Sequence, residues 1–393
     1  MVECDSGHTG GEDKFGYASV MVDPQRPGVV MVSTMDRWTK KDDLFRSADG
    51  GKTWKPIGAK ATRDSSASPW VTWGRDHAEL GHWIGDIEID PFDSDRVMYV
   101  TGTRVWASRD VTRADNDEPT HWEVASSGIE ECVVNEVVSP PSGATLLSVM
   151  WDIDGFRHED LDVSPPQGFF KPGFGHNRAI DFAENDPNFV VRVYDNGKTH
   201  GAYSNDNGRT WQEFERGAGG KGGTVAVAAD GRAIVWTPEN APPHRSIDCG
   251  KTWMRCEGNG SGTRVVSDRV NPGSFYAFDR SGKALLSDQA GLRFVPGAGD
   301  LPPGDGFVRA VPGHAGHVWL AKPQGLFVSR DTARSFARIE GIDSAHRIGF
   351  GKAAPNHDYP AIYLSGKAHV AAVLDRRAAY PVSRGDPDHV AGD

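Results

Sequence analysis

Two aspartates stand two residues apart in the segment Trp151-Asp152-Ile153-Asp154-Gly155-Phe156. They follow a run in which Leu147, Val149 and Trp151 alternate with Leu146, Ser148 and Met150, the period of an extended strand. A glycine that permits a sharp turn comes next, so both carboxylates belong at a strand end, where scaffolds present functional groups. Carboxylates there can exchange protons with a ligand. Residue type and spacing alone describe a pair of turn caps at least as well. A second kind of chemistry is suggested by Trp38, which sits in the polar stretch Met35-Asp36-Arg37-Trp38-Thr39-Lys40-Lys41-Asp42. Sugar rings present apolar C–H faces that suit a flat aromatic platform. Trp70, Trp73 and Trp83 lie in similar loop-like stretches, and each fits ordinary core packing as well. Asp86, in WIGDIEID, is placed either to hydrogen-bond a sugar hydroxyl or to cap a turn.

Other chemistries find little support. Asp90, Asp93 and Asp95 cluster in DPFDSD without the spacing of a calcium-binding loop and read as a solvated turn. The histidines are scattered without metal spacing; His158 and Glu159 follow the Asp152 segment and are expected to shape the same cleft. No nucleophile elbow, phosphate loop, zinc-protease helix or dinucleotide fingerprint is present, so neither cofactor nor metal is expected. The four cysteines form no CxxC pair, and Cys249 and Cys256 are near enough in sequence to bond only if their side chains face each other. A net charge of −11 argues against nucleic acid as the main partner. No apolar run reaches membrane-spanning length, and the N-terminal MVECDSGHTGGEDK lacks the features of a signal peptide.

The elements that must position these residues are repeated. Ser47-Ala-Asp49-Gly-Gly51-Lys-Thr53-Trp54 recurs at Ser204–Trp211 and Ser246–Trp253, with a weaker copy at Ser329–Phe336. The pattern S-x-D-x-G-x-T-W is an Asp box: the aspartate can accept from backbone N–H groups of its own turn, and the glycine takes the positive φ the hairpin needs. Serines that end strand-like runs at Ser204, Ser246, Ser287 and Ser329 are 42, 41 and 42 residues apart, the length of a four-stranded propeller blade. Ser47, Ser108 and Ser148 are expected to end earlier runs in the same way. Turn-then-strand segments such as VDPQRPGVVMVST, IDPFDSDRVMYVTG, NDPNFVVRVY, VNPGSFYAF and PGHAGHVWLA precede the serines and read as strands. The expectation is an all-β, seven-bladed β-propeller with Asp-box repeats over residues 13–370. An irregular segment at 1–12 and an irregular or truncated tail at 371–393, where the next box is due and absent, flank it.

In motif order the chain resembles glycoside hydrolase family 74, the xyloglucanases. The resemblance runs through FGYASVMVDPQRPGVVMVST, SASPWVTWG, GHWIGDIEIDPFDSDRVMYVTGT, GIEECVVNEVVSPPSGATLLS, DIDGFRHEDLD, GGTVAVAADG and RIGFGKAAPNHDYPAIYLSGK. It implies an extracellular inverting hydrolase built from two seven-bladed propellers, with one catalytic aspartate on each and this chain standing for the second. Asp152 matches the general acid of the family's G-D-I-G-G-F pattern, while Trp151 and Asp154 stand where that pattern has glycines. Only Trp38 remains of an aromatic pair, L-N-S-W-W-P-D, that stacks on the glucan. Inverting hydrolysis places a second carboxylate about 6.5–9.5 Å from the first. The resemblance assigns that base to the other propeller, which makes a separate N-terminal propeller a possible partner beside the polysaccharide. Three rival readings stand beside this one: a non-catalytic glycan- or protein-binding propeller, a sialidase, and an assembly-factor propeller. A sialidase needs an arginine triad and a tyrosine nucleophile paired with a glutamate, and no convincing arrangement of either is found.

Overall fold

The computed structural model describes residues 16–37, 41–69, 83–102, 104–129 and 132–369. These form eight sheets, and the only helical pieces among them are two 3-10 turns, Gly58–Lys60 and Val111–Asn116. The all-β expectation holds. The chain divides into two compact units, one of Met1–Val133 with Asp162–Phe169 and the other of Val134–Leu161 with Phe170–Asp393.

The first unit holds two sheets. Sheet A runs Gly16–Val22, Val30–Met35, Leu44–Ser47 and Lys55–Pro56, each strand antiparallel to the one before. Sheet B adds Thr62–Asp64 as a parallel fifth strand to the meander Asp86–Asp90, Asp93–Val100, Val105–Ser108 and His121–Val124. Met31, Leu44, Ile87, Val97, Trp106 and Trp122 bury the face the two sheets share.

The second unit holds six sheets in chain order. Sheet C has three strands, Val134–Val138, Leu146–Met150 and Gly155–His158. Sheets D to G are four-stranded meanders beginning at Asn177–Ala183, Thr224–Val227, Arg264–Ser267 and Phe307–Ala310. Sheet H pairs Ile342–Gly351 with Ala361–Ala368. Each neighbouring pair of sheets shares its own buried cluster, and the first strand of each lies against the first strand of the next. This is the nearest-neighbour packing of blades, in which a sheet apolar on both faces is covered only by its two neighbours.

The Asp boxes join the outer two strands of sheets A, D, E and G, as their sequence implies. In the first, Ser47 Oγ donates to Asp49 Oδ1 at 2.8 Å, and the N–H of Thr53 and its hydroxyl donate to the two carboxylate oxygens at 2.9 and 2.7 Å. The same bonds recur at Asp206, Asp248 and Asp331. The glycine position takes φ +80° at Gly208, a left-handed conformation that costs other residues about 1–2 kcal/mol. Sheet B retains half a box: Ser108 still bonds Asp110, but a 3-10 turn intervenes, and His121 supplies the N–H that threonine gives elsewhere.

One reading of the repeat is corrected. Ser148 does not end a third strand; it lies inside Leu146–Met150, the second strand of sheet C, opposite Phe156. TLLS resembles LFRS in composition, but a two-residue extension to Met150 and the tight turn after it put the strand one place earlier in its blade. The 371–393 tail lies outside the described residues.

Candidate active site

Because strands alternate in direction, loops between second and third strands in the second unit emerge on the rim opposite the Asp boxes. The turn 151–154 is one of them. It is tight, with the Met150 N–H donating to the Asp154 carbonyl at 2.9 Å. Gly155 is required next: a Cβ there would come within 2.5 Å of the Ser148 carbonyl and 2.6 Å of the Phe170 ring.

Within that turn the two aspartates part company. Asp152 is exposed at the tip. Asp154 is buried, and its carboxylate accepts from the N–H groups of Phe174 and Gly175, from Asn177 Nδ2 and from the Arg192 guanidinium. Arg192 is wholly buried in the second strand of sheet D, with its Cζ 4.6–5.8 Å from the ring centroids of Phe170, Phe174, Tyr194 and Trp211. Its other nitrogen donates to the Pro172 carbonyl at 2.7 Å. Burial pulls this guanidinium below the usual arginine range, and Asp154 opposes that pull. Asp154 is therefore committed to anchoring the turn to the 170–177 loop. One carboxylate, Asp152, faces solvent.

Trp151 forms a wall beside it. Its ring stacks on His176 with centroids 4.3 Å apart and planes at 10°, and the Arg178 guanidinium lies 4.0 Å from its centre. Arg178 is held by Asp195 at 2.9 Å and lies 3.7 Å from Glu239, residues of the same-rim loops of sheets D and E. Sequence reading missed this cluster because its members are spread over 151–239 and share no local pattern.

In the first unit, Asp86 is exposed at the start of its strand; it accepts from Ser19 Oγ at 2.7 Å and from the Ile87 N–H at 3.0 Å. Trp83, 49 % exposed, donates from its indole to Asp36 at 2.6 Å and from its backbone to Asp42 at 2.7 Å, which ties it to both aspartates. Trp38, Trp70 and Trp73 lie outside the described residues. Asp90 and Asp93 accept from backbone N–H groups two residues on, and Asp95 accepts from Thr112, a turn-capping pattern.

His158 and Glu159 are not cleft residues. They stand at the far end of the third strand of sheet C, on the Asp-box rim, where His158 bonds Ser148 Oγ at 2.9 Å and Glu159 pairs with Arg157. The strand between them and Asp152 reverses the rim. Cys249 and Cys256 are free thiols, so the 249–256 bond does not form. No group of three or more metal-ligating side chains is found among the described residues.

No family model matches the chain. It is 43 % identical over 386 residues to a xyloglucanase of Acetivibrio thermocellus, an alignment covering 92 % of this chain and 45 % of that protein. It is 40 % identical over 384 residues to a xyloglucanase of a Paenibacillus species, covering 90 % of this chain and 37 % of that one. The crystal structure of the GH74 xyloglucanase from Xanthomonas campestris superposes with a TM-score of 0.77 at 36 % identity, over 90 % of this chain and 51 % of that one. The chain spans about half the length of these relatives, or less.

Proposed function

The chain belongs to glycoside hydrolase family 74, and on that premise we propose that it is the acid-bearing half of a xyloglucan-hydrolysing enzyme. Asp152 gives its proton to the glycosidic oxygen, and the base that activates water comes from a second propeller outside residues 13–370. The observation that carries this reading is the division of labour between Asp152 and Asp154. The buried partner is fully occupied, and the other is exposed on the loop rim opposite the boxes. A general acid needs a second carboxylate or an apolar cover to hold its proton near neutral pH. A facing propeller would supply both, together with the base. Inversion follows, since water attacks the face opposite the acid. Trp38, Trp70 and Asp86 are the proposed sugar contacts, and Trp83 joins them as an exposed indole fixed by Asp36 and Asp42. The location proposed is extracellular, where the polysaccharide is, and the blade number proposed remains seven.

The test is to incubate xyloglucan with the chain alone, and with the chain plus the N-terminal half of a relative, and to count new reducing ends. Hydrolysis in the mixture that is lost with Asp152→Asn supports the reading. The second reading, a non-catalytic glycan-binding propeller, is favoured by the His176 and Arg178 contacts that occupy Trp151 beside the acid. It predicts xyloglucan binding in the mixture with no new ends.

A further inference from the structure

The first strands of sheets C to H line a cavity of about 370 Å³ along the middle of the second unit. Its charges are not evenly spread. Glu184, at the Asp-box end of its strand, lies 3.9 Å from Arg269, which is already bound to Asp181 at 2.6 Å. Towards the opposite rim three guanidiniums gather on one ring: Arg264, Arg309 and Arg347 place their Cζ atoms 4.5, 4.9 and 5.0 Å from the centre of Phe307. One carboxylate serves two of them. Arg264 and Arg309 each donate to the same oxygen of Glu136 at 3.0 Å, and its other oxygen accepts from the Ile180 N–H at 3.2 Å. Among the described residues Arg347 bonds only the His346 carbonyl, and the buried Nε of Arg264 has no partner.

Three like charges a few ångströms apart repel, and a single carboxylate and an aromatic face offset only part of that repulsion. In a protein of net charge −11 the cluster is a local exception. Planar guanidinium forks match the paired oxygens of a carboxylate or phosphate. A neutral polysaccharide would need none of them. We infer that this mouth of the cavity is a binding site for a small oxyanion, held by Arg264, Arg309 and Arg347 over Phe307, with Glu136 as an internal competitor. The oxyanion is a free phosphate or the carboxylate of an acidic sugar. The site is built on the first strands of sheets C, F, G and H and owes nothing to hydrolysis.

Titration calorimetry of the full chain at low salt, with inorganic phosphate and with glucuronate as separate probes, tests this. At least one should bind at one site. Phosphate alone identifies a phosphate-type ligand, glucuronate alone an acidic sugar, and both a general oxyanion site. Arg347→Gln changes an exposed side chain, so the fold is kept; it should weaken binding roughly tenfold, the loss expected for one charge-assisted hydrogen bond. Glu136→Gln, if it folds, should tighten binding by freeing two forks. Absence of binding by both probes overturns the proposal, and so does binding that Arg347→Gln leaves unchanged. Xyloglucan hydrolysis is read separately, so failure here leaves the acid assignment standing.

Discussion

Asp154 and Arg192 meet as a buried ion pair that fastens the turn bearing Asp152 to the second strand of the next sheet. The pair spans 38 residues of sequence. Its carboxylate also receives three further donors, so the turn, the 170–177 loop and the strand are fixed as one piece. Precision at Asp152 thus comes from a residue two places along the chain that does no chemistry itself.

Asp154→Asn should destabilise the chain strongly. It leaves the Arg192 charge buried without its counter-charge, a change that costs about 3–5 kcal/mol. Asp152→Asn, at an exposed tip, should stay within about 0.5 kcal/mol of the parent. Urea unfolding of both variants measures the contrast. Equal losses would mean that the anchor has been misassigned.

In a mixture with the N-terminal half of a relative, Asp152→Asn should lower xyloglucan hydrolysis by ~10²–10⁴-fold, the usual contribution of a general acid. The parent chain alone should release few or no reducing ends. Vigorous hydrolysis by the chain alone would place a base within its own residues.

What the sequence made legible was what is local. The serine and aspartate side chains of an Asp box close their hydrogen bonds within eight residues, so Ser204 to Trp211 announces its hairpin from local sequence. The blade-length step carried the same information from one box to the next. Sheet C has no box, and there the run TLLS carries no sign that its strand continues to Met150 or that His158 belongs to the opposite rim from Asp152. The Asp152 turn was found through its resemblance to a known pattern. The meaning of Asp154 was not, because its partner is distant. One signal was available: an arginine inside NFVVRVY, an otherwise apolar strand, has to find a carboxylate or carry an unpaired charge into the core. The Trp151, His176 and Arg178 cluster had no such marker.

Trp151→Gly restores the glycine of the family pattern and removes the wall beside Asp152. Loss of a half-buried indole with one stacking and one cation–π contact should cost roughly 1–3 kcal/mol, below the 3–5 of a fully buried tryptophan. Affinity for a xyloglucan oligosaccharide should rise if the indole restricts the cleft. A fall in affinity, measured on the folded variant, would make Trp151 a sugar platform.

Acid should unfold the chain through its boxes. Asp49 is held well below the usual carboxylate range by the Thr53 N–H, then by the Thr53 and Ser47 hydroxyls. At Asp206, Asp248 and Asp331 partial burial alone would raise the carboxyl, but the Thr or Ser hydroxyl and backbone donors outweigh it and the shift is again downward. A carboxyl whose folded pKa lies below its unfolded value of about 3.9 adds stability above that value and loses it as pH falls through the folded one. Glu184 and Asp43 work in the opposite sense, since burial raises both; each opposes folding near neutral pH and ceases to as it takes up a proton. The two signs occupy different windows. His158 and His317, whose imidazoles burial holds below the usual range, oppose that relief as pH drops below about 6.5. Stability should therefore change little as pH drops towards about 4, and fall steeply below it. Replacing Asp49, Asp206, Asp248 and Asp331 together by Asn should flatten the fall below pH 4 in a series of denaturant titrations. It should also lower stability at pH 7, where the wild-type carboxylates are ionised and fully bonded. An unchanged acid slope in that variant would move the source of acid sensitivity from the boxes to the buried ion pairs.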